Sequence, residues 1–267
     1  MASEVYGLSC DLGGRMLRVV ARRYVRDLPL GEGPPTVEGE ASVLTQLEGL
    51  DIAAPRLIGF DPSGSAAGHP TVVMTRLPGR LDLQPHDPEA WTCALAEMLC
   101  AVHNLVVDAP PYRPWYEPAE REVREWTTQP ELWTAALEVL ASPPPAEAHG
   151  FVHGDYQQFN VLWHRGSISG VLDWTGSWLG PQDVDVAHAR LNLACLYGVE
   201  RAEAFRRAYE AAAGRPMSPW RDLYELVGYV PGFAIALRRQ IAGRMVLEVP
   251  GMSTRVEELL RLTLKRT

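Results

Sequence analysis

Cysteine is scarce in this chain. Four thiols in 267 residues, Cys10, Cys93, Cys100 and Cys195, show neither CxxC nor CxH spacing. Cys93 and Cys100 fall one heptad apart on an apolar stretch, so the pattern predicts buried, reduced thiols and argues against a zinc site or a disulfide framework. Long apolar runs are absent too. Nothing approaches the roughly 18 residues of a membrane-spanning helix. The first ten residues, MASEVYGLSC, lack the basic segment and apolar stretch of a signal peptide, and the chain reads as cytoplasmic. Positive charge is in deficit. With 25 Lys and Arg against 33 Asp and Glu, the net charge is −8, which argues against a nucleic-acid partner held by phosphate neutralisation. The surplus of carboxylates suits a cationic small substrate, and it is also the ordinary device for solubility. Internal repeats and low-complexity segments are lacking.

What is present reads as an ordinary globular protein, 46% hydrophobic and 22% charged, long enough for one large domain or two modest lobes. Residues 4–26 hold two β-rich runs around Gly13-Gly14 and predict a hairpin. A Pro/Gly loop (28–36) leads to a helix expected from Val37 to Leu50, with Ala41, Leu44 and Leu47 on one face. Short strands follow at 57–60 and 71–74, split by the flexible tip DPSGSAAGHP. After Pro78-Gly79 the hydrophobic period changes from two to 3.6, which places a lobe boundary near residue 78. Helices are expected at 88–107, where Trp91, Leu95, Met98, Leu99, Val102 and Leu105 share a face, then within 117–140, 184–197, 200–213, 218–243 and 252–265. His103 on the first of these reads as a core-facing histidine with a hydrogen-bond partner.

The chemistry concentrates in FVHGDYQQFNVL (151–162), where apolar residues bracket His153, Asp155 and Asn160. A second carboxylate, Asp173, ends the apolar run Gly170-Val171-Leu172. Phosphoryl transfer from a nucleotide needs mainly positioning and charge neutralisation. It calls for a carboxylate near the attacking hydroxyl and hard oxygen ligands for magnesium, which takes only one or two from protein. An Asp, an amide oxygen five residues on and a second Asp would supply that set. The five-residue step is too long for one helical turn, so it predicts a loop folded back on itself.

HGDYQQFNVL joined to GVLDW, and further on to GPQDVDVAHAR, resembles the catalytic segment of the aminoglycoside phosphotransferase and choline kinase superfamily. The likeness runs over roughly residues 3–235 and is strongest over 149–195. It implies an α+β, bilobal protein-kinase-like fold: an antiparallel-sheet lobe over residues 1–78 that binds nucleotide, and a mainly helical lobe over 79–267 that carries catalysis and the acceptor site. It implies that Asp155 accepts or orients the proton of the substrate hydroxyl, that Asn160 and Asp173 bind Mg²⁺, and that His153 braces the loop. VARRYV resembles the strand bearing the phosphate-gripping cation, here Arg22, with Glu40 as its helical partner, although Arg23 next door leaves the register open. VVMTRLPG resembles the hinge, where Met74 would line the base pocket and the backbones of Thr75 and Leu77 would pair with adenine. ATP or GTP would be the co-substrate and a small hydroxylated molecule the acceptor.

The family's first strand and Gly-rich loop have no counterpart ahead of the hairpin, so the small lobe is expected to be incomplete. That motivates a second reading, a catalytically silent kinase-like nucleotide-binding or interaction protein. A protein kinase is disfavoured, because VLDWTGSWLGP runs straight into the next helix with no DFG-to-APE segment. Asp183 and Asp185 read as helix caps or acceptor contacts. Trp220, Asp222 and Tyr224 read as packing, surface or substrate-contact residues.

Overall fold

The structure is a computed structural model that describes residues 3–25, 37–114, 117, 121–123, 125–245 and 251–267. The expected loop at 28–36 lies outside the described residues, as does part of 117–129.

Strands β1 (Ser3–Leu12) and β2 (Arg15–Tyr24) form the expected hairpin, pairing Leu12 with Arg15. Gly13 and Gly14 both adopt positive φ, 64° and 86°, the mirror-image turn whose twist matches the strands and which only glycine enters without strain. The Gly14 N–H donates to Asp11 Oδ1 at 2.7 Å, closing the turn. With β3 (Leu57–Asp61) and β4 (Thr71–Thr75) the hairpin makes an antiparallel sheet ordered β1-β2-β4-β3. Helix α1 (Val37–Leu47) packs against this sheet through Val37, Ala41, Val43, Leu44 and Leu47. It stops three residues before the expected Leu50, because Gly49 turns to a φ of +91°.

Beyond the hinge the chain is mainly helical. Asp87 caps α2 (Pro88–His103), accepting from the Glu89 and Ala90 amides, and Pro88 sits where a missing N–H costs nothing. Trp91, Leu95, Leu99 and Val102 line its buried face. That stripe turns Cys93 out to solvent. All four cysteines are free thiols, as expected, but only Cys195 is buried. The helix ends at His103 rather than 107, and the β-branched pair Val106-Val107 continues as loop.

Helix α3 (Pro130–Leu140) occupies only the end of the 117–140 stretch, and residues 125–129 are turn and coil. Its start is capped from a distance by Glu257, which accepts from the Thr128 amide at 2.8 Å and the Gln129 amide at 3.2 Å. Short strands β5 (His149–Val152) and β8 (Trp178–Pro181) pair, and β6 (Val161–His164) pairs with β7 (Ser167–Val171). Helices α4 (Asp183–Tyr197), α5 (Val199–Ala213), α6 (Pro219–Val227), α7 (Phe233–Ile241) and α8 (Met252–Leu264) complete the lobe. The single pattern expected over 218–243 divides at Gly228 to Gly232, where Pro231 interrupts it.

Helix α4 is buried along nearly its whole length and packs against α5, α6 and α8. Arg190 on it is fully buried yet paired with Asp222 and Glu203, so its charge is compensated inside the lobe. Asp222 is thereby a core residue. Trp220 and Tyr224 stack at 5.8 Å, with Arg221 over both rings. No described helix is long and apolar enough to cross a membrane.

Candidate active site

The segment after β5 is held by backbone geometry before any side chain acts. Gly154 takes φ +83°, and a Cβ there would lie 1.7 Å from the Gly176 carbonyl. Gly154→Ala therefore meets both a left-handed strain and a clash with backbone. The expected loss is about 2–4 kcal/mol of stability, with the loop displaced; urea unfolding curves check it.

Two short contacts lock the loop to the strand behind it. The Leu172 N–H donates to the Asn160 carbonyl at 2.7 Å, which sets Asn160 beside Asp173. His153 Nδ1 accepts from the Asp155 N–H at 3.3 Å, so Nε2 carries the hydrogen and donates to the Leu172 carbonyl at 2.9 Å. Asp155 is 39% exposed at its side chain. Its Oδ1 accepts from Gln157 Nε2 at 2.7 Å, and its Oδ2 from Asn160 Nδ2 at 3.0 Å. Asn160 Nδ2 also reaches the Asp155 carbonyl at 2.8 Å. With its side-chain nitrogen so engaged, Asn160 has its side-chain oxygen, Oδ1, left for another partner.

Asp173 sits in the left-handed region, φ 66° and ψ 61°. Strain of this kind at a non-glycine persists only where surrounding contacts over-determine it. Here Arg22 donates to Asp173 Oδ1 at 2.5 Å and Thr175 Oγ1 donates to the same oxygen at 2.7 Å. Burial pushes the Asp173 pKa up, but the Arg22 charge and these bonds outweigh it and hold it below the ordinary value.

Arg22 comes from β2, 12% exposed at its side chain, and is 3.3 Å from Glu40 on α1 as well as 2.5 Å from Asp173. Tyr24 donates to the other oxygen of Glu40 at 2.7 Å. Burial dominates at Glu40 and raises its pKa, with Arg22 offsetting part of the shift. The register left open between Arg22 and Arg23 is settled by strand alternation: Arg23 faces away, 3.8 Å from Glu4 and over the Tyr6 ring. The chain has a single lysine, Lys265, at the end of the last helix, so a cation at this position of β2 has to be arginine.

At the hinge, Met74 is buried in β4. The Thr75 N–H is engaged by the Arg56 carbonyl at 2.9 Å, so that donor is already taken. Leu77 packs over Gly170, where a Cβ would meet its Cδ1 at 2.4 Å. Arg22 of the first lobe thus meets Asp173 of the second directly, and its Nη1 also reaches Thr175 Oγ1 at 3.5 Å.

Sequence patterns did not single out Asp185 as the anchor of this loop. Neither it nor Asp183 caps α4; no side chain bonds that helix start. Asp183 pairs with Arg215 at 2.7 Å and accepts from the Ser218 amide at 2.8 Å. Asp185, fully buried, accepts from the His153 N–H at 2.7 Å, the Gly154 N–H at 2.8 Å and His103 Nε2 at 3.1 Å. His103 is held in turn by Tyr209 at 2.7 Å, a core histidine as expected. Burial would raise the Asp185 pKa, but the His103 bond and charge together with the loop amides hold it low. The only sequence signal was a carboxylate two residues into an apolar helix.

The oxygen donors fit a small hard cation. Among the described residues no group of three His, Cys, Asp or Glu gathers around one point. Asn160 Oδ1 and the Asp173 carboxylate would offer the one or two protein oxygens that magnesium takes beside phosphate and water. A cavity of about 890 Å³ lies elsewhere, lined by Tyr112, Leu140, His149, Leu179, Trp220 and Tyr224 among others. It includes none of Arg22, Glu40, Asp155, Asn160 or Asp173.

Comparison with known proteins places this geometry. Residues 11–225 match the model of the phosphotransferase enzyme family. In solved structures, an aminoglycoside phosphotransferase APH(4)-Ia mutant in ternary complex with ADP and hygromycin B superposes with TM-score 0.62 at 17% identity, over 98% of this chain and 90% of that one. The amicoumacin kinase hAmiN, in complex with AMP-PNP, Ca²⁺ and Ami, gives TM-score 0.54 at 14% identity, over 99% and 86%. A probable acyl-CoA dehydrogenase, IBR3 of Arabidopsis thaliana, is 27% identical over 202 residues, 63% of this chain but 24% of that much longer protein. With its α+β, bilobal kinase-like fold and a family match spanning most of its length, this chain belongs to the phosphotransferase enzyme family.

Proposed function

We propose that this enzyme transfers the γ-phosphate of ATP or GTP, with Mg²⁺, to a hydroxyl of a small molecule. The reading is carried by Asp155 bonded to Asn160 on the loop after β5, by the Leu172 N–H bond that ties the segment leading to Asp173 against Asn160, and by the Arg22–Glu40 pair delivered to Asp173 from the other lobe. Magnesium bound by Asn160 and Asp173 would neutralise phosphate charge. The chain's own residues do the rest. Asp155 takes the proton as the acceptor oxygen bonds to the γ-phosphorus; the bond from that phosphorus to the β–γ bridging oxygen breaks, and the nucleoside diphosphate leaves. Arg22, fixed by Glu40, would bind the phosphates through its planar fork. Met74, Thr75 and Leu77 stand at the hinge where the base would lie. His153 and Asp185 keep the loop in register.

The acceptor is an aminoglycoside, another antibiotic, an amino alcohol or a hydroxylated metabolite. The test is a panel of such compounds, hygromycin B included, incubated with ATP or GTP and read by mass gain of one phosphoryl group, with and without added Mg²⁺. Phosphorylation that requires both nucleotide and metal is the expected result. Failure across the whole panel, with nucleotide still bound, would instead favour the catalytically silent scaffold.

A further inference from the structure

Helix α4 presents a second side chain to the loop, one turn beyond Asp185. His188 places Nε2 3.1 Å from Asp155 Oδ1 and Nδ1 2.8 Å from Glu225 Oε1 on α6. Its side chain is 22% exposed and that of Glu225 19%. A neutral imidazole has one N–H, so one of these carboxylates would face a lone pair; only the imidazolium donates to both. Burial opposes that charge, but the bonds to Asp155 and Glu225 outweigh it and hold the His188 pKa well above the ordinary histidine range. The remaining polar neighbour is Asn192 on the same helix, with Nδ2 3.2 Å from Nε2 and 3.0 Å from the His188 carbonyl. Its buried Oδ1 has no partner, and the bond to the His188 carbonyl keeps Nδ2 on this side of the amide.

We propose that His188 is a positioning residue for Asp155: its imidazolium, anchored from behind by Glu225, holds that carboxylate in orientation toward the acceptor hydroxyl. This rests on Asp155 as the group that takes the hydroxyl proton. The line of groups is carboxylate, cation, carboxylate. Removing the cation leaves Asp155 with only the neutral donors Gln157 and Asn160 and with the Glu225 charge uncompensated nearby. The carboxylate thereby loses its one charge-assisted contact, and its orientation is held less firmly.

The experiment reads ADP release from Mg-ATP, with water and with the best acceptor of the panel, for wild type, Asp155→Asn, His188→Ala, His188→Gln and Glu225→Gln. His188→Ala is expected to lower kcat about 10- to 100-fold with the ATP KM little changed. His188→Gln restores a neutral donor and should recover part of kcat. Independently, ¹⁵N shifts of the His188 ring should show both nitrogens protonated through neutral pH, and the pKa should fall in Asp155→Asn and in Glu225→Gln. Melting curves separate loss of fold from loss of function, and His188→Gln keeps the test open if the alanine variant unfolds. Full kcat in folded His188 variants, beside an inactive Asp155→Asn, overturns the role of His188 and leaves the proposed function standing. Full turnover in Asp155→Asn overturns both.

Discussion

Asp155→Asn should lower kcat by about 10³-fold, because a positioned general base contributes about 10²- to 10⁴-fold to such a transfer. Asparagine keeps a carbonyl oxygen that one of Gln157 and Asn160 can still bond, so the loop's contacts are largely retained. What is lost is the negative charge and the capacity to take a proton. The ATP KM should therefore stay within about twofold of wild type, since an interaction with the acceptor proton is made in the transition state and not with bound nucleotide. Steady-state kinetics at saturating acceptor check this. A parallel loss of nucleotide affinity would show that Asp155 serves nucleotide binding instead.

Asp185→Ala should cost about 3–5 kcal/mol of stability, the range for removing one member of a buried, hydrogen-bonded charged pair. The carboxylate is wholly buried, and its loss leaves the His153 and Gly154 amides and His103 Nε2 without their acceptor. The same amides fix the loop that carries Asp155, so turnover should fall in whatever fraction still folds. Urea unfolding gives the first number and single-turnover kinetics the second.

The pH dependence follows from the sign of the shift. Asp185 has its pKa lowered from 3.8 in the folded protein, so its contribution is complete above the unfolded pKa and disappears as pH falls through the lower folded one. Stability of the wild type should thus drop, as pH falls below about 4, more steeply than that of Asp185→Asn, which has no carboxylate to protonate there. Chemical denaturation across that window distinguishes the two.

Much of this protein was legible along the chain because the determining physics is local. Two adjacent glycines between β-rich runs specify a mirror-image turn, and the hairpin pairs Leu12 with Arg15 as the pattern requires. The loop bearing Asp155 and Asn160 folds back on itself as a five-residue step demands, and Asp173 follows an apolar strand. Helix ends were less legible. α2 stops at His103 and the 218–243 pattern breaks in two, since apolar spacing continues past the point where glycine, proline or β-branched residues end the hydrogen-bond ladder. Cys93 and Cys100 were misplaced for a related reason: an apolar stretch does not tell which side of a helix its neighbour covers.

The sequence by itself determined the kind of chemistry, through the residue types and spacing of HGDYQQFN and VLDW, and the kinase-like order of strands and helices. Only the tertiary structure decided which arginine of the Arg22-Arg23 pair meets Asp173, and that Asp185 and His188 bond to the loop at all. Those choices depend on strand register and on the rotation of α4 about its axis. A contact across about 30 residues is set by how whole elements pack, and no local pattern encodes it.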